Sequence, residues 1–180
     1  MSFPTYADHG SGLTVDNYPA ALYTGETGEV SASLRRSDSE HDLVYSSGGS
    51  ADYLATGATT RGEFGLYRWN MSAGPGGPDP HFHKSLSESF FVIEGMIQLY
   101  DGKSWVDGHP GDFMFVPEGG IHGSRNASEA PASMLILFAP GAPREGYFEG
   151  LAEWATGGQP TEDERAEFMF RHDTFWVDGG

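Results

Sequence analysis

Three histidines and one glutamate fall in two short blocks of this chain. The first block, P-H-F-H-K-S-L-S-E, carries His81, His83 and Glu88, and the second, G-D-F-M-F-V-P-E-G-G-I-H-G-S-R-N, carries His122. In an extended strand alternate side chains share a face, so His81 and His83 point one way and Phe82 points the other. Two imidazoles on one strand face make half of a metal site. Glu88 opens the apolar run Ser-Phe-Phe-Val-Ile, and a short loop can bring its carboxylate back to the pair. Imidazole nitrogen together with carboxylate oxygen suits one divalent first-row ion, among iron, nickel, manganese, copper and zinc. Four protein donors leave one or two positions open on a five- or six-coordinate ion, as a catalytic site requires. Glu88 is the only carboxylate of the four. It is therefore the ligand that can also take a proton, and the candidate catalytic base.

Such residues need a rigid frame, and the surrounding pattern supplies short strands. Glu63 to Met71, Phe90 to Ile93, Met96 to Tyr100, Asp112 to Val116, Ile121 to Arg125 and Ala132 to Ala139 are apolar or alternating runs bounded by turn residues. Glu94-Gly95 is a hairpin signal between two of them, and Asp101-Gly102 and Gly108 to Gly111 mark further turns. Strands about ten residues apart with no helices between them predict an antiparallel sandwich or barrel. Phe90 and Val92 share a face with Glu88 and should line its interior. After residue 140 the period changes: Tyr147, Phe148, Leu151, Trp154 and Ala155 recur at helical spacing. Thr161 followed by Glu164 is a capping box for a second helix to about Phe170. The chain thus divides into an N-terminal arm or lead-in strands (1–40), a barrel (41–140) and a C-terminal helical cover (141–180). Phe148, Trp154 and Phe168 either cover the sheet or form a lid over its mouth.

The two blocks resemble the signature motifs of the cupin family. His81, His83, Glu88 and Gly95 fall at the spacings of G-x5-H-x-H-x3-4-E-x6-G, and Gly111, Pro117, Gly119, His122 and Asn126 match G-x5-P-x-G-x2-H-x3-N in full. One position departs: the first glycine of the first motif is Pro75, flanked by Gly74 and Gly76. From about Tyr53 to Ala152 the chain is similar to single-domain cupins called quercetin-dioxygenase-like. The resemblance implies an all-β double-stranded β-helix, or jelly-roll barrel. It implies His81, His83, Glu88 and His122 as metal ligands, a homodimer, and a dioxygenase that takes dioxygen and a small organic substrate. A redox-neutral isomerase, cyclase or lyase and a non-catalytic small-molecule-binding cupin are the alternatives. Asn126, four residues after His122, either supports the site or fixes a turn.

Composition narrows the classes further. A chain of 180 residues can bury a sizeable core, and 26 Gly with 11 Pro favour turns and strands over a helical bundle. The net charge of -16 argues against nucleic acid, whose affinity rests on neutralising phosphates, and against anionic membrane surfaces. With no cysteine there are neither disulfides nor thiol chemistry. The opening M-S-F-P-T-Y-A-D-H-G has no basic patch or apolar run, so a cytoplasmic location is expected. His9, His41, His109 and His172 sit among polar residues and read as exposed. No G-x-S-x-G elbow, phosphate-binding loop or H-E-x-x-H competes with the histidine–glutamate set.

Overall fold

The computed structural model describes residues 20–177, and its internal contacts separate Met1–Leu34 from Arg35–Gly180. In the first unit, residues 20–34 form neither strand nor helix, and a local bond joins the Tyr23 hydroxyl to the Thr27 carbonyl at 2.6 Å. Residues 20–40 form no strand, and residues 1–19, the rest of the expected arm or lead-in, lie outside the described part.

The second unit holds eleven strands and two helices among the described residues. In chain order these are β1 (Leu43–Val44), β2 (Ser50–Ala55), β3 (Gly65–Met71), β4 (His81–Phe82), β5 (Ser87–Glu94), β6 (Ile97–Tyr100), β7 (Trp105–Gly108), β8 (Phe113–Val116), β9 (Gly123–Arg125) and β10 (Ala132–Ala139). Then follow α1 (Glu145–Thr156), α2 (Glu162–Arg171) and β11 (Phe175–Trp176). One sheet runs β1-β2-β3-β10-β5-β8, a second β7-β6-β9, and β11 pairs with β4. A bridge between His81 and His122, with both backbone bonds at 2.8 Å, ties β4 to the approach of β9. All these pairings are antiparallel. The architecture is the expected all-β double-stranded β-helix with a short helical C-terminal segment.

Alternation explains which side of each strand faces inward. On β10, Met134, Ile136 and Phe138 are buried; on β5, Glu88, Phe90 and Val92 are buried while Phe91 faces out. This is the pattern of a sheet with one apolar and one wet face. Register does the rest. Glu88 lies level with Phe138 on one side and Val116 on the other, which places a carboxylate inside the apolar row.

The Glu94-Gly95 turn corrects one expectation. It does not close a hairpin: β5 pairs with β10 and β8, whereas β6 pairs with β7 and β9. Gly95, at φ 74, hands the chain from one sheet to the other. A Cβ there would lie 2.6 Å from the Pro131 carbonyl oxygen, so both the left-handed conformation and the close approach call for glycine. The local hairpin is the next one, β6–β7, where Lys103 and Ser104 amides donate to Asp101 Oδ1 at 2.8 Å each.

The two expected helices form. Thr161 makes the capping box with Glu164, through bonds of 2.8 and 3.3 Å. Tyr147 and Phe148 of α1 are buried in the core, and Trp154 meets Phe168 of α2 at 4.5 Å between ring centres. The C-terminal segment falls in the same compact unit as the barrel. It ends in a strand, β11, that the sequence reading placed nowhere; Phe175 pairs with Phe82 and Trp176 with His81. No helix among the described residues is long and apolar enough to cross a membrane.

Candidate metal centre

Each candidate ligand is set by a different piece of backbone. His81 is held on β4 by its bridge to His122 and its pairing with Trp176. His83 follows two residues later, and its own carbonyl accepts from the Gly119 amide at 2.7 Å. Glu88 projects inward from β5, and His122 enters β9 after the Pro117–Gly120 turn, closed by a Gly120 to Pro117 bond of 2.9 Å. Their donor atoms all lie within 4.8 Å of one another, and the four side chains are buried. The structure thus brings all four sequence-selected residues to one point.

The hydrogen bonds fix the imidazole tautomers. Nδ1 of His81 faces the Asp79 carbonyl at 2.8 Å, Nδ1 of His83 the Asp173 carbonyl at 2.5 Å, and Nδ1 of His122 the Gly120 carbonyl at 2.9 Å. A carbonyl oxygen only accepts, so each Nδ1 carries the proton and each Nε2 keeps a lone pair. Those lone pairs converge on Glu88, with Oε2 3.1 Å from Nε2 of His83 and 2.7 Å from Nε2 of His122. Lone pair against carboxylate at such distances is repulsive unless a cation or a proton lies between.

One proton can serve one contact. Burial acts to push the His122 imidazole down, but the neighbouring Glu88 charge and bond outweigh it and raise the group above its ordinary value. For Glu88, burial acts upward and is overcome by His122 and His83, so the carboxyl stays well below the usual carboxylate range. His81 cannot share the load. Burial, then the adjacent His122, push it down to about 3, which keeps it neutral. A divalent ion would satisfy all three Nε2 atoms and Glu88 together, so the residues present fit the group that the donor set calls for. The backbone carbonyls behind each Nδ1 hold the rings in the required tautomer.

The site opens on one side. His81 and Glu88 form part of the wall of a cavity of about 540 Å3, whose other walls include Tyr45, Trp69, Phe90, Phe148 and Trp176. His83 and His122 stand behind them, 2% and 1% exposed, out of the cavity. The His81 and Glu88 side of the donor cluster therefore faces an aromatic chamber of a size that takes a small organic molecule.

Other sequence readings resolve residue by residue. Asn126 is fully buried but makes turn bonds: its Nδ2 donates to the Ser72 and Ala130 carbonyls, and its Oδ1 accepts from the Ser128 amide and hydroxyl. It fixes a turn and offers nothing to an ion. Pro75, the departure in the first motif, lies beside Gly74 at φ 98, with Gly77 at φ 142 shortly after. A Cβ at Gly77 would run into the Ser124 carbonyl, so the loop's need for glycine falls on Gly74 and Gly77 and leaves position 75 free for proline. His41 is exposed and paired with Asp52 at 2.6 Å, and His109 is exposed. His172 is half-buried against Tyr147 and Phe168, which corrects its reading as exposed, and it is not one of the clustered donors. His9 lies outside the described residues. Phe148 is part of the cavity wall, whereas Trp154 and Phe168 pack on each other away from it.

Two positioning elements were not anticipated. Asp173, at φ 51, binds the amides of Lys84 and Ser85 and the Ser85 hydroxyl through its carboxylate, while its carbonyl holds His83. It locks the loop between His83 and Glu88 to the C-terminal segment. Arg144, 3% exposed, sits just before α1 and reaches the same cavity. An aspartate in left-handed backbone is a weak sequence signal, and a lone arginine in a Gly/Pro-rich stretch is weaker still.

Comparison with known proteins agrees with this architecture. Residues 67–138 match the Cupin domain. A probable germin-like protein, subfamily 2 member 5, of Arabidopsis thaliana is 31% identical over 116 residues, covering 60% of this chain and 52% of the relative. The chain spans about half the length of the curated relatives it matches. Ectoine synthase from P. lautus has a similar fold, with a TM-score of 0.53, 16% identity, and coverage of 67% of this chain and 87% of that one. So does the polyketide cyclase RemF from Streptomyces resistomycificus, with a TM-score of 0.51, 22% identity, and coverage of 61% and 80%. The strand order and the domain match converge on a double-stranded β-helix in which residues 67–138 match the Cupin domain, with a buried His-His-Glu-His group that could hold a metal ion beside its cavity.

Proposed function

We propose that the protein is a metal-dependent enzyme acting on a small, planar, oxygenated organic molecule, and that the reaction is a dioxygenation of the quercetin-dioxygenase-like type. The observation that carries the reading is the juxtaposition of His81 and Glu88 with the aromatic walls of one cavity. When bound, a divalent first-row ion supplies Lewis-acid activation of a substrate oxygen and a route for electrons. The chain's own residues supply the rest. Trp69, Phe90 and Trp176 receive a flat ring and exclude water, which strengthens charge interactions inside. Glu88, ionised and facing the cavity, accepts the proton that a hydroxyl or enol of the substrate loses. Asp173 and the carbonyls of Asp79 and Gly120 keep the imidazoles from turning as that charge develops.

A redox-neutral isomerisation, cyclisation or elimination is the second reading, favoured by the same placement of Glu88, because proton removal beside a Lewis acid suffices for it. One barrel hosts many reactions, so the test has to be chemical. Protein loaded with iron or nickel is expected to consume dioxygen with a member of a flavonol, catechol and enediol panel, read on an oxygen electrode. Product formation that continues unchanged under argon contradicts the oxygenase and supports the redox-neutral reading.

The homodimer and the cytoplasmic location belong to the same proposal. Phe91 on β5 and its register partner Phe113 on the edge strand β8 are 41% and 56% exposed, with Phe115 beside them at 50%. That face offers a second copy an apolar surface. Light scattering that gives a 19.4 kDa species at all concentrations would remove the dimer, and cell fractionation tests the location.

A further inference from the structure

We infer that Arg144 is an anion-recognition residue, and that the ligand of the cavity is an organic acid whose carboxylate pairs with this guanidinium while its oxygenated ring faces the His81–Glu88 wall. The inference deepens the metal-dependent reading and rests on it for the second half only.

Arg144 is 3% exposed, and no carboxylate lies within ion-pair distance of it among the described residues. Its Nη1 donates to the His172 carbonyl at 2.5 Å, while Nε is buried with no partner. A guanidinium stays charged at any physiological pH. A buried cation left without an anion is costly, and in native structures it is rare unless a ligand completes it. The adjacent Glu145 does not serve: its Oε1 accepts from the Tyr67 hydroxyl at 2.6 Å. Glu88 does not serve either, because its Oε2 is engaged by His83 and His122.

Position then selects the ligand. Arg144 lines the same cavity as His81 and Glu88. Its guanidinium lies 4.1 Å from the Tyr147 ring centre and 5.1 Å from that of Phe138, and Phe138 in turn lies 6.3 Å from the His83 imidazole. The Phe138 ring thus lies between the arginine and His83, while the cavity itself is walled by Arg144 at one place and by His81 and Glu88 at another. Flanking rings hold the fork flat, the geometry that favours two parallel bonds to a carboxylate. The other charged groups on the cavity wall are Arg165, which adds a second cation, and the exposed Asp79. With Glu88 neutralised at the metal centre, the chamber is left cationic in a chain whose net charge is -16.

The test uses benzoate and its neutral isostere benzamide as probes, with Trp69 and Trp176 in the cavity wall as fluorescent reporters. Titrations are run on the full chain, both metal-loaded and after chelation. Wild-type protein is expected to bind benzoate at least about tenfold tighter than benzamide in both states, the size of a hydrogen-bonded charge contact. Arg144→Met should abolish the preference by weakening benzoate far more than benzamide, and Arg144→Lys should restore part of it; a circular-dichroism melt checks that each variant is folded. Equal affinity for the two probes in wild-type protein overturns the inference without recourse to any variant. A preference that disappears on chelation but survives Arg144→Met also overturns it, and leaves the metal centre as the anion site. A preference that persists in protein unable to take up any ion supports Arg144 and counts against the metal-dependent reading, so the two fail separately.

Discussion

His83→Ala is expected to strip the protein of its metal, leaving less than about a tenth of the wild-type content under the same loading. The effect is large because His83 acts at both ends of its ring. Nε2 is one of the four converging donors, and Nδ1 is bound to the Asp173 carbonyl. Losing an inner ligand removes a coordinate bond, and the ring it leaves behind is a void in a site that is 2% exposed. The bond to Asp173 also anchors the C-terminal segment, so stability should drop by about 2 kcal/mol in the metal-free protein, as for other buried truncations that lose a hydrogen bond. Elemental analysis and a thermal melt read the two effects. Full metal content in a folded His83→Ala protein would show that the ion sits elsewhere.

Glu88→Gln separates holding from catalysis. The amide keeps the shape of the carboxylate and one neutral oxygen donor but loses its basicity. Glu88 is ionised in the folded protein, with His122 and His83 outweighing the burial that would otherwise raise it, and it lines the cavity. It is thus placed to take a substrate proton. On this account the variant retains most of its metal, and turnover falls by at least about a hundredfold, the usual scale of general-base loss. The comparison is made at saturating substrate with metal content measured on the same samples. Metal and activity that fall together in proportion would reduce Glu88 to a ligand alone.

Much of this site was legible in the sequence because its spacing is local. His81 and His83 share a strand face, and Glu88, Phe90 and Val92 alternate on β5 as an inward row, a period that any short window shows. The capping box at Thr161 is equally local. The contacts that the sequence hid are the long-range ones. Gly95 announces a turn, but nothing near it says that β6 will join a different sheet. β11 pairs with β4, far earlier in the chain, and the same approach brings Asp173 to His83, Lys84 and Ser85. Arg144 gave no signal either, since its burial depends on Phe138 and Tyr147 folding over it. Periodicity reports which face a residue takes; it does not report which distant strand will cover that face.

Elemental analysis of the mildly purified protein tests the central claim most directly. Three Nε2 lone pairs and one carboxylate meet within 4.8 Å, with every Nδ1 already committed to a carbonyl. The account predicts close to one divalent first-row ion per chain, or stoichiometric uptake on adding one. Protein that is metal-free and also refuses iron, nickel, manganese, copper and zinc would contradict it.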